Sequence, residues 1–425
     1  MKKIALHWKI LIGMGLGVVF GLLLSFVPHG AQFISNYIKP FGTIFINLLK
    51  LIAVPLILAS LIKGVSDLKD ISKLSKMGGR TILTYLITTL TAVTIGLILV
   101  NVIQPGKSIS IETRNELVEA YATDTEAKQA AAAKQQESGP LQALVDVVPS
   151  NIFLAASNNR NMLQVIFFAL FFGIGMILLP KKKIKPVKKF FDSFNDIILK
   201  LIDLIMLAAP YGVFALLAAL VVEAPSLELF QALALYAITL LLGLAAMISV
   251  YVIIVRIITK RKPSFFISGI APAQLLAFST SSSAATLPVT MECVEDNLGV
   301  DEEVASFVLP IGATINMDGT SVYQGVAAVF IAQAFGLDLS LSAQLGIVFT
   351  ATLASIGTAA VPSAGIVMLV IVLAQAGIPE AGLALIFAID RPLDMCRTIV
   401  NVTGDAAVSM IVGKSIGKLK NPAAP

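Results

Sequence analysis

The run Ser279-Thr280-Ser281-Ser282-Ser283-Ala284-Ala285-Thr286-Leu287-Pro288 decides how this chain must fold. An apolar arm, Phe265 to Phe278, leads into it, and Glu292, Glu295 and Asp296 follow. Five consecutive hydroxyl residues and a nearby proline are poor material for a lipid-facing helix. The design returns later: Leu341 to Ala354 is apolar and runs into Ser355-Ile356-Gly357-Thr358-Ala359-Ala360-Val361-Pro362-Ser363-Ala364-Gly365. The two segments form an internal repeat, and each precedes a helix with polar residues at membrane depth, Asn316 to Gly319 after the first, Asp394 and Arg397 after the second. Non-helical backbone inside a membrane is tolerated only where protein buries it or it lines a watery cavity. Paired broken segments of this kind point to a transporter's midplane site.

Composition demands the membrane. The chain is 57% hydrophobic and only 13% charged, with 31 basic and 26 acidic residues, and its mean hydropathy is +0.88. An ordinary globular domain carries roughly 25% charged residues, so soluble enzymes and nucleic-acid binders are excluded. Six apolar blocks read as ordinary spans: Ile10 to Val27, Phe41 to Leu61, Ile82 to Val102, Met162 to Leu179, Ile197 to Val222 and Leu229 to Ile258. With one more helix after each repeat tip, the fold predicted is an all-α polytopic membrane protein of eight transmembrane helices and two re-entrant helical hairpins.

Charge sets the orientation. Basic connections follow the second block (Lys63 to Arg80), the fourth (Lys181 to Lys189) and the sixth (Arg256 to Lys262), so alternate loops are cytoplasmic by the positive-inside rule. Lys2, Lys3 and Lys9 place the amino terminus inside ahead of a retained first helix, and Lys414, Lys418 and Lys420 place the carboxyl terminus there too. Counting spans from that start makes the two repeats inverted. Pro105 to Pro140 reads as a polar external loop, and Pro149 with Ser157 to Asn159 predicts a segmented helix. Gly17 and Gly21 form a close-packing pair. The two cysteines and two histidines suggest no disulfide framework, zinc site or histidine relay.

The sharpest chemical signal is the stripe Asp390, Asp394, Arg397, Asn401 and Asp405, spaced to lie on one helical face. Each charge at the bilayer centre opposes insertion by about 2.5–3.5 kcal/mol, and one arginine cannot neutralise three aspartates. With Asp318 the excess grows. A dry site relieves such an excess by protonation or by binding cations, and cations fit the oxygens gathered at Thr314, Asn316, Asp318, Ser355, Thr358, Asn401 and Asp405. Arg397 offers a planar fork suited to a carboxylate, and Asp394 could take an ammonium group. Together they describe an amino acid with an acidic side chain, its main-chain carboxylate meeting helix or hairpin ends.

Four motifs in order resemble the excitatory amino acid transporter family, the sodium:dicarboxylate symporters, including the archaeal and bacterial sodium/aspartate transporters. They are Ser281-Ser282-Ser283 with Thr286-Leu287-Pro288, Gly312 to Thr320, Gly357 to Pro362, and Asp394 to Thr398 with Asn401 to Asp405. The resemblance covers essentially the whole chain. It implies a homotrimeric elevator transporter in the cell membrane. Residues 1–80 would hold scaffold helices 1 and 2, 81–104 transport helix 3, 105–140 the external loop, and 141–225 scaffold helices 4 and 5. Residues 226–260 would form transport helix 6, 261–296 hairpin 1, 297–335 helix 7, 336–376 hairpin 2 as the external gate, and 377–425 helix 8 with a cytoplasmic tail.

Carried over residue by residue, the resemblance gives Arg397 the substrate's side-chain carboxylate and Asp394 its amino group. Ser281, Ser282, Ser283, Thr320, Ala359, Gly365, Thr398 and Asn401 would hold the remainder. It implies three Na+ ions per cycle. One would use Gly312, Asn316, Asn401 and Asp405, a second Thr314, Ser355, Ile356 and Thr358, and a third Tyr85, Thr88, Thr89, Asn316 and Asp318. The chain departs from the family where archaeal relatives carry an arginine (here Ser281) and where animal relatives carry one (here Met395), and it has Arg391 instead. Gln324 stands where proton-moving animal relatives have glutamate, which argues against proton co-transport and potassium counter-transport, and Asp405 stands where proton-coupled bacterial relatives have asparagine, which favours sodium.

The expectation is therefore a sodium-coupled symporter of L-aspartate, with L-glutamate as the second candidate, and not an enzyme. The rivals on the same fold are a C4-dicarboxylate symporter, with less need of Asp394, and a proton-coupled glutamate symporter. An intramembrane aspartyl protease lacks its glycine at Val402, and an ATP-driven pump lacks the phosphate-loop glycine at Asn101 and Val408.

Overall fold

The computed structural model describes residues 6–67, 75–110, 112–113, 148–157, 162–223, 227–356, 358 and 364–420. Apart from its first few residues, the expected external loop 105–140 lies outside the described residues. The described chain is helical almost throughout, and its one β feature is a bridge between Val300 and Leu419. The helices are α1 (Leu6–Ser25), α2 (Lys39–Asp67), α3 (Ser75–Ile103), α4 (Met162–Leu178), α5 (Lys181–Leu207), α6 (Ala209–Glu223) and α7 (Leu227–Thr259). They continue as α8 (Pro263–Thr280), α9 (Ser283–Glu292), α10 (Glu302–Ile315), α11 (Asp318–Ala334), α12 (Leu341–Ile356), α13 (Ala364–Gln375) and α14 (Leu383–Ser415).

Four stretches among the described residues are long and apolar enough to cross a membrane: Gly30–Lys63, Met77–Ser108, Glu228–Thr259 and Ile389–Ser415. The span expected over Ile197 to Val222 is instead two helices, α5 and α6, bent by 51°. Pro210, in the first turn of α6, lacks the amide that would continue the ladder, so the chain turns at Ala208. The lysine run Lys181 to Lys189, read as a connection, is the beginning of α5, whose apolar and charged positions fall on opposite faces. The segmented helix before α4 is present as a single turn, Ile152–Ala156, capped by Asn151 Oδ1 accepting from the amides of Phe153 and Leu154. Gly17 and Gly21 leave no room for a Cβ against the carbonyls of Phe214 and Ala218, which lets α1 lie on α6 backbone to backbone.

Helix contacts fall into two sets. α1 packs on α6, and α2 holds α4, α5 and α6, whereas α3 lies on α7 and α11, and α14 is wrapped by α7, α8, α10 and α11. The α12–α13 pair touches both, α12 against α3 and α11, α13 against α11 and α2. Every residue of α11 is buried, while α1 and α5 leave Leu16, Leu23, Ile197 and Leu207 exposed, an apolar surface at home in lipid.

The described arms of both repeats are paired helices, α8 on α9 and α12 on α13. In the first, Ser279 and Thr280 stay helical and the turn falls at Ser281, left-handed at φ 52°, and Ser282, whose Oγ accepts from the Ala285 amide to cap α9. In the second, α12 and α13 pack on each other. The units that follow also differ. The helix expected over 297–335 breaks at Asn316 and Met317, whereas α14 runs unbroken for 33 residues despite Pro392.

The last described residues strap back onto the base of the first hairpin. Lys420 N donates to Gly299 O (2.8 Å) and Asp301 N to Lys418 O (3.1 Å). Lys420 Nζ pairs with Asp301 Oδ2 at 2.8 Å, and Arg261 donates to the carbonyls of Leu298 and Lys420. The Lys420 ammonium, with the Glu303 amide that Asp301 caps, holds the Asp301 carboxyl below the usual range.

Candidate functional site

The stripe on α14 is buried along its whole length, from Asp390 to Asp405, and divides into two clusters. The first surrounds Arg397. Its Nη2 donates to Asp390 Oδ1 and Asp394 Oδ1, both at 2.9 Å, and its Cζ lies 3.8 Å from the centre of the Tyr323 ring. Arg391 Nη1 donates to the other oxygen of Asp394 at 3.3 Å. The arginine deficit inferred from the stripe is thus made up locally, with two guanidiniums facing two carboxylates. Arg397 Nε and Nη1 meet no hydrogen-bond partner among the described residues. A Cβ built on Gly365 would stand 3.3 Å from Arg397 Nη1 and 3.0 Å from Thr320 Cγ2, so these three residues converge. Thr398 turns its hydroxyl to Asp394 O (2.8 Å).

The second cluster forms around the break between α10 and α11. Asn316 and Met317 leave the helical region of backbone space (φ −92°, ψ 94° and φ −118°, ψ 49°), freeing the last carbonyls of one helix and the first amides of the next. Asn401 Oδ1 caps α11 by accepting from Gly319 N at 2.8 Å, and its amide nitrogen contacts the Met317 sulfur at 3.3 Å. Gly319 has no space for a Cβ against the Arg397 carbonyl, which fixes the break beside the first cluster. Asn316 Nδ2 donates to Asp405 Oδ1 (2.9 Å) and reaches Asn401 O (3.4 Å). Thr89 Oγ1 donates to Asp318 Oδ1 at 2.7 Å, and Tyr251 Oη donates to Asp318 Oδ2. Tyr85 Oη donates to Val308 O (3.2 Å) and, with Asp405 Oδ1, faces the Cα of Gly312. Thr88 Oγ1 donates to Tyr85 O (3.0 Å).

Among the described residues no base pairs with Asp318 or Asp405, and Asn316 Oδ1 has no partner. No three His, Cys, Asp or Glu side chains come together there as a metal group. What gathers is a mixed oxygen set from α3, α7, α10, α11 and α14.

The remaining predicted residues are placed less tightly. Thr314 is exposed and its hydroxyl turns to Ile311 O (2.9 Å). Thr358 closes α12 through its amide to Ser355 O (3.1 Å) and its hydroxyl to Ala354 O (2.9 Å). α10 and α12 touch, and the buried Ser355 Oγ is unpartnered among the described residues. So is Ser281 Oγ at the first tip, while Ser283 is buried beside it. Ala359, Gly357 and the side chain of Ile356 lie outside the described residues.

The profile of the sodium:dicarboxylate symporter family matches residues 6–415. The chain belongs to that family. It is 34% identical over 421 residues to the proton/sodium-glutamate symport protein of Geobacillus stearothermophilus, covering 98% of this chain and 96% of that protein. It is 36% identical to excitatory amino acid transporter 3 of Mus musculus (96% of this chain, 85% of the relative). It is 34% identical to the proton/glutamate-aspartate symporter of Escherichia coli K12 (97% and 93%). The chain is accordingly a multi-pass membrane transporter of a family of cation-coupled acidic amino acid symporters, and not an enzyme.

Three residues that sequence reasoning did not place line the two clusters. Tyr251, in the middle of an apolar block, supplies a donor to Asp318. Tyr323 presents its ring to Arg397. Arg391 was visible but carried no spacing signal, because it lies one residue off the stripe. Gln324 is buried beside Tyr323 with neither amide atom partnered among the described residues.

Proposed function

We propose that the protein is a sodium-coupled symporter of acidic amino acids, L-aspartate first and L-glutamate second, working as an elevator. The observation that carries the reading is the division of the α14 stripe. A charge-balanced cluster leaves guanidinium donors of Arg397 unpartnered, and a neighbouring cluster keeps two carboxylates with no base among the described residues.

A substrate carboxylate suits Arg397, whose Nε and Nη1 are donors without a partner among the described residues. Its ammonium suits Asp394, and Thr320, Thr398, Asn401, Gly365, Ala359 and the serine tip Ser281 to Ser283 frame the rest. Two buried carboxylates without counter-charge favour cation binding. Sodium takes hard oxygens, which Asp405, Asn316, Asn401 O and Gly312 O supply at one place and Asp318, Thr89, Thr88, Tyr85 and Asn316 at another. Ser355, Ile356, Thr358 and Thr314 belong to a third site that completes as hairpin 2 settles on α10. Three oxygen sets support the reading of three ions per cycle that the resemblance implies.

The two contact sets support a scaffold of α1, α2, α4, α5 and α6 and a moving body built on α3, α7 to α11 and α14, with α12–α13 as the outer gate. The scaffold would form a homotrimer in the cell membrane, with basic ends and both termini cytoplasmic. Three relatives are named for glutamate, aspartate or excitatory amino acid transport.

Proton coupling is the second reading, favoured by relatives named as proton symporters and by carboxylates that could be neutralised by protonation. The test is labelled L-aspartate uptake into liposomes under an inward sodium, choline or proton gradient. Accumulation with sodium alone, blocked by unlabelled aspartate but not by succinate, supports the proposal. Accumulation driven by protons without sodium, or equal block by succinate, overturns it.

A further inference from the structure

Resting on the substrate reading of Asp394 and Arg397, we propose that Arg391 is a specificity-determining residue that competes with the substrate's ammonium for Asp394. Both oxygens of Asp394 are engaged, Oδ1 by Arg397 (2.9 Å) and Oδ2 by Arg391 (3.3 Å). Only one of these partners belongs to the stripe. Arg397 is wholly buried, whereas the Arg391 side chain keeps 14% of its surface open, so Arg391 is the partner with room to give way.

An ammonium approaching Oδ2 meets the position that Arg391 Nη1 holds and must share or displace it. A charge-assisted hydrogen bond in a low-dielectric site is strong enough for that competition to register in affinity. The effect has opposite signs for two ligand classes. With Arg391 present, Asp390 and Asp394 face two guanidiniums and the cluster is neutral, so a dicarboxylate without an ammonium pays little repulsion. Removing Arg391 leaves one uncompensated negative charge, which attracts an ammonium and repels a second carboxylate. Arg391 therefore lowers discrimination between acidic amino acids and C4-dicarboxylates, acting through Asp394 and not by touching the carboxylate that Arg397 takes.

The experiment measures the affinities of L-aspartate and succinate for the purified full-length protein in saturating sodium, for the wild type, R391Q, R391K and D394N, and for the D394N/R391Q double variant. R391Q is expected to raise the aspartate-to-succinate affinity ratio by about tenfold, the scale of a partly buried charge pair, and R391K to return it towards the wild-type value. In the D394N background the R391Q effect should vanish, because the cycle isolates the pair. A ratio that is unchanged or falls in R391Q, or an equal R391Q effect with and without Asp394, overturns the proposal while leaving the symporter reading intact. Failure of the wild type to bind aspartate at all overturns that reading and this proposal with it. A purely structural role would move both ligands' affinities together and leave the ratio fixed, which also counts against it.

Discussion

The two halves of the α14 stripe solve the same electrostatic problem differently. Around Arg397, two carboxylates are neutralised by two guanidiniums and an aromatic face, and the site keeps spare donors. Around Asp405 and Asp318, two carboxylates are held by hydroxyl and amide donors alone. Neutral donors satisfy hydrogen bonds but leave net charge, and net charge out of water requires a counter-ion or a proton. On the proposed reading the difference assigns roles: the balanced half would recognise a zwitterionic anion, and the unbalanced half would take the coupling ion. The halves meet at Asn401 and Gly319, where the cap of α11 and the carbonyl of Arg397 are packed without slack. On that reading binding on one side would bear on the other, and linkage would make the effect reciprocal.

The largest test separates the halves outright. Arg397→Ala leaves Asp390 and Asp394 with one guanidinium and removes the fork proposed to hold the substrate. We predict that aspartate binding weakens by about 100-fold or more, in line with breaking a buried charge pair, while sodium binding persists in direct titration. Unchanged aspartate affinity would place substrate recognition elsewhere.

Gly312→Ala attacks the other half. Its methyl would collide with Tyr85 Oη and Asp405 Oδ1, so apparent sodium affinity should fall by about tenfold, on the scale of a core overpacked by one methyl. Aspartate affinity at saturating sodium should stay near that of the wild type. Equal loss of both at saturating sodium would mean that the clusters are one site.

A smaller effect belongs to the strap, far from either cluster. Asp301→Asn removes the Lys420 pair and should lower the melting temperature by about 1 °C at neutral pH, as expected of an exposed pair. Since the folded carboxyl titrates below its unfolded value, the stabilisation is present above that value and is lost as pH falls through the folded pKa. The wild-type and Asp301→Asn curves should converge in strong acid. A gap that persists there would assign the effect to the α10 cap alone.

Much of this was legible in the sequence because its signals are local. Hydroxyl runs beside apolar arms announce hairpins, and the 4, 3, 4, 4 spacing puts five polar residues on one buried face. The bend at Ala208 and the helical lysine run were not legible, because apolar blocks were bounded by charge while α5 is continued by helix-forming lysines and ended by Pro210. Arg391 and Tyr251 escaped for a different reason. Each reaches its carboxylate from off the stripe, Arg391 from the next position on α14 and Tyr251 from α7, and no one-dimensional period records such meetings.

The most direct test of the division is the sodium dependence of aspartate affinity in the wild type and in Asp405→Asn. If the unbalanced half binds the coupling ion, the logarithm of the wild-type dissociation constant falls steeply with the logarithm of sodium concentration, and Asp405→Asn flattens the slope by about one ion while leaving Arg397 and its partners in place. A wild-type affinity indifferent to sodium, or a slope identical in the variant, would contradict the account.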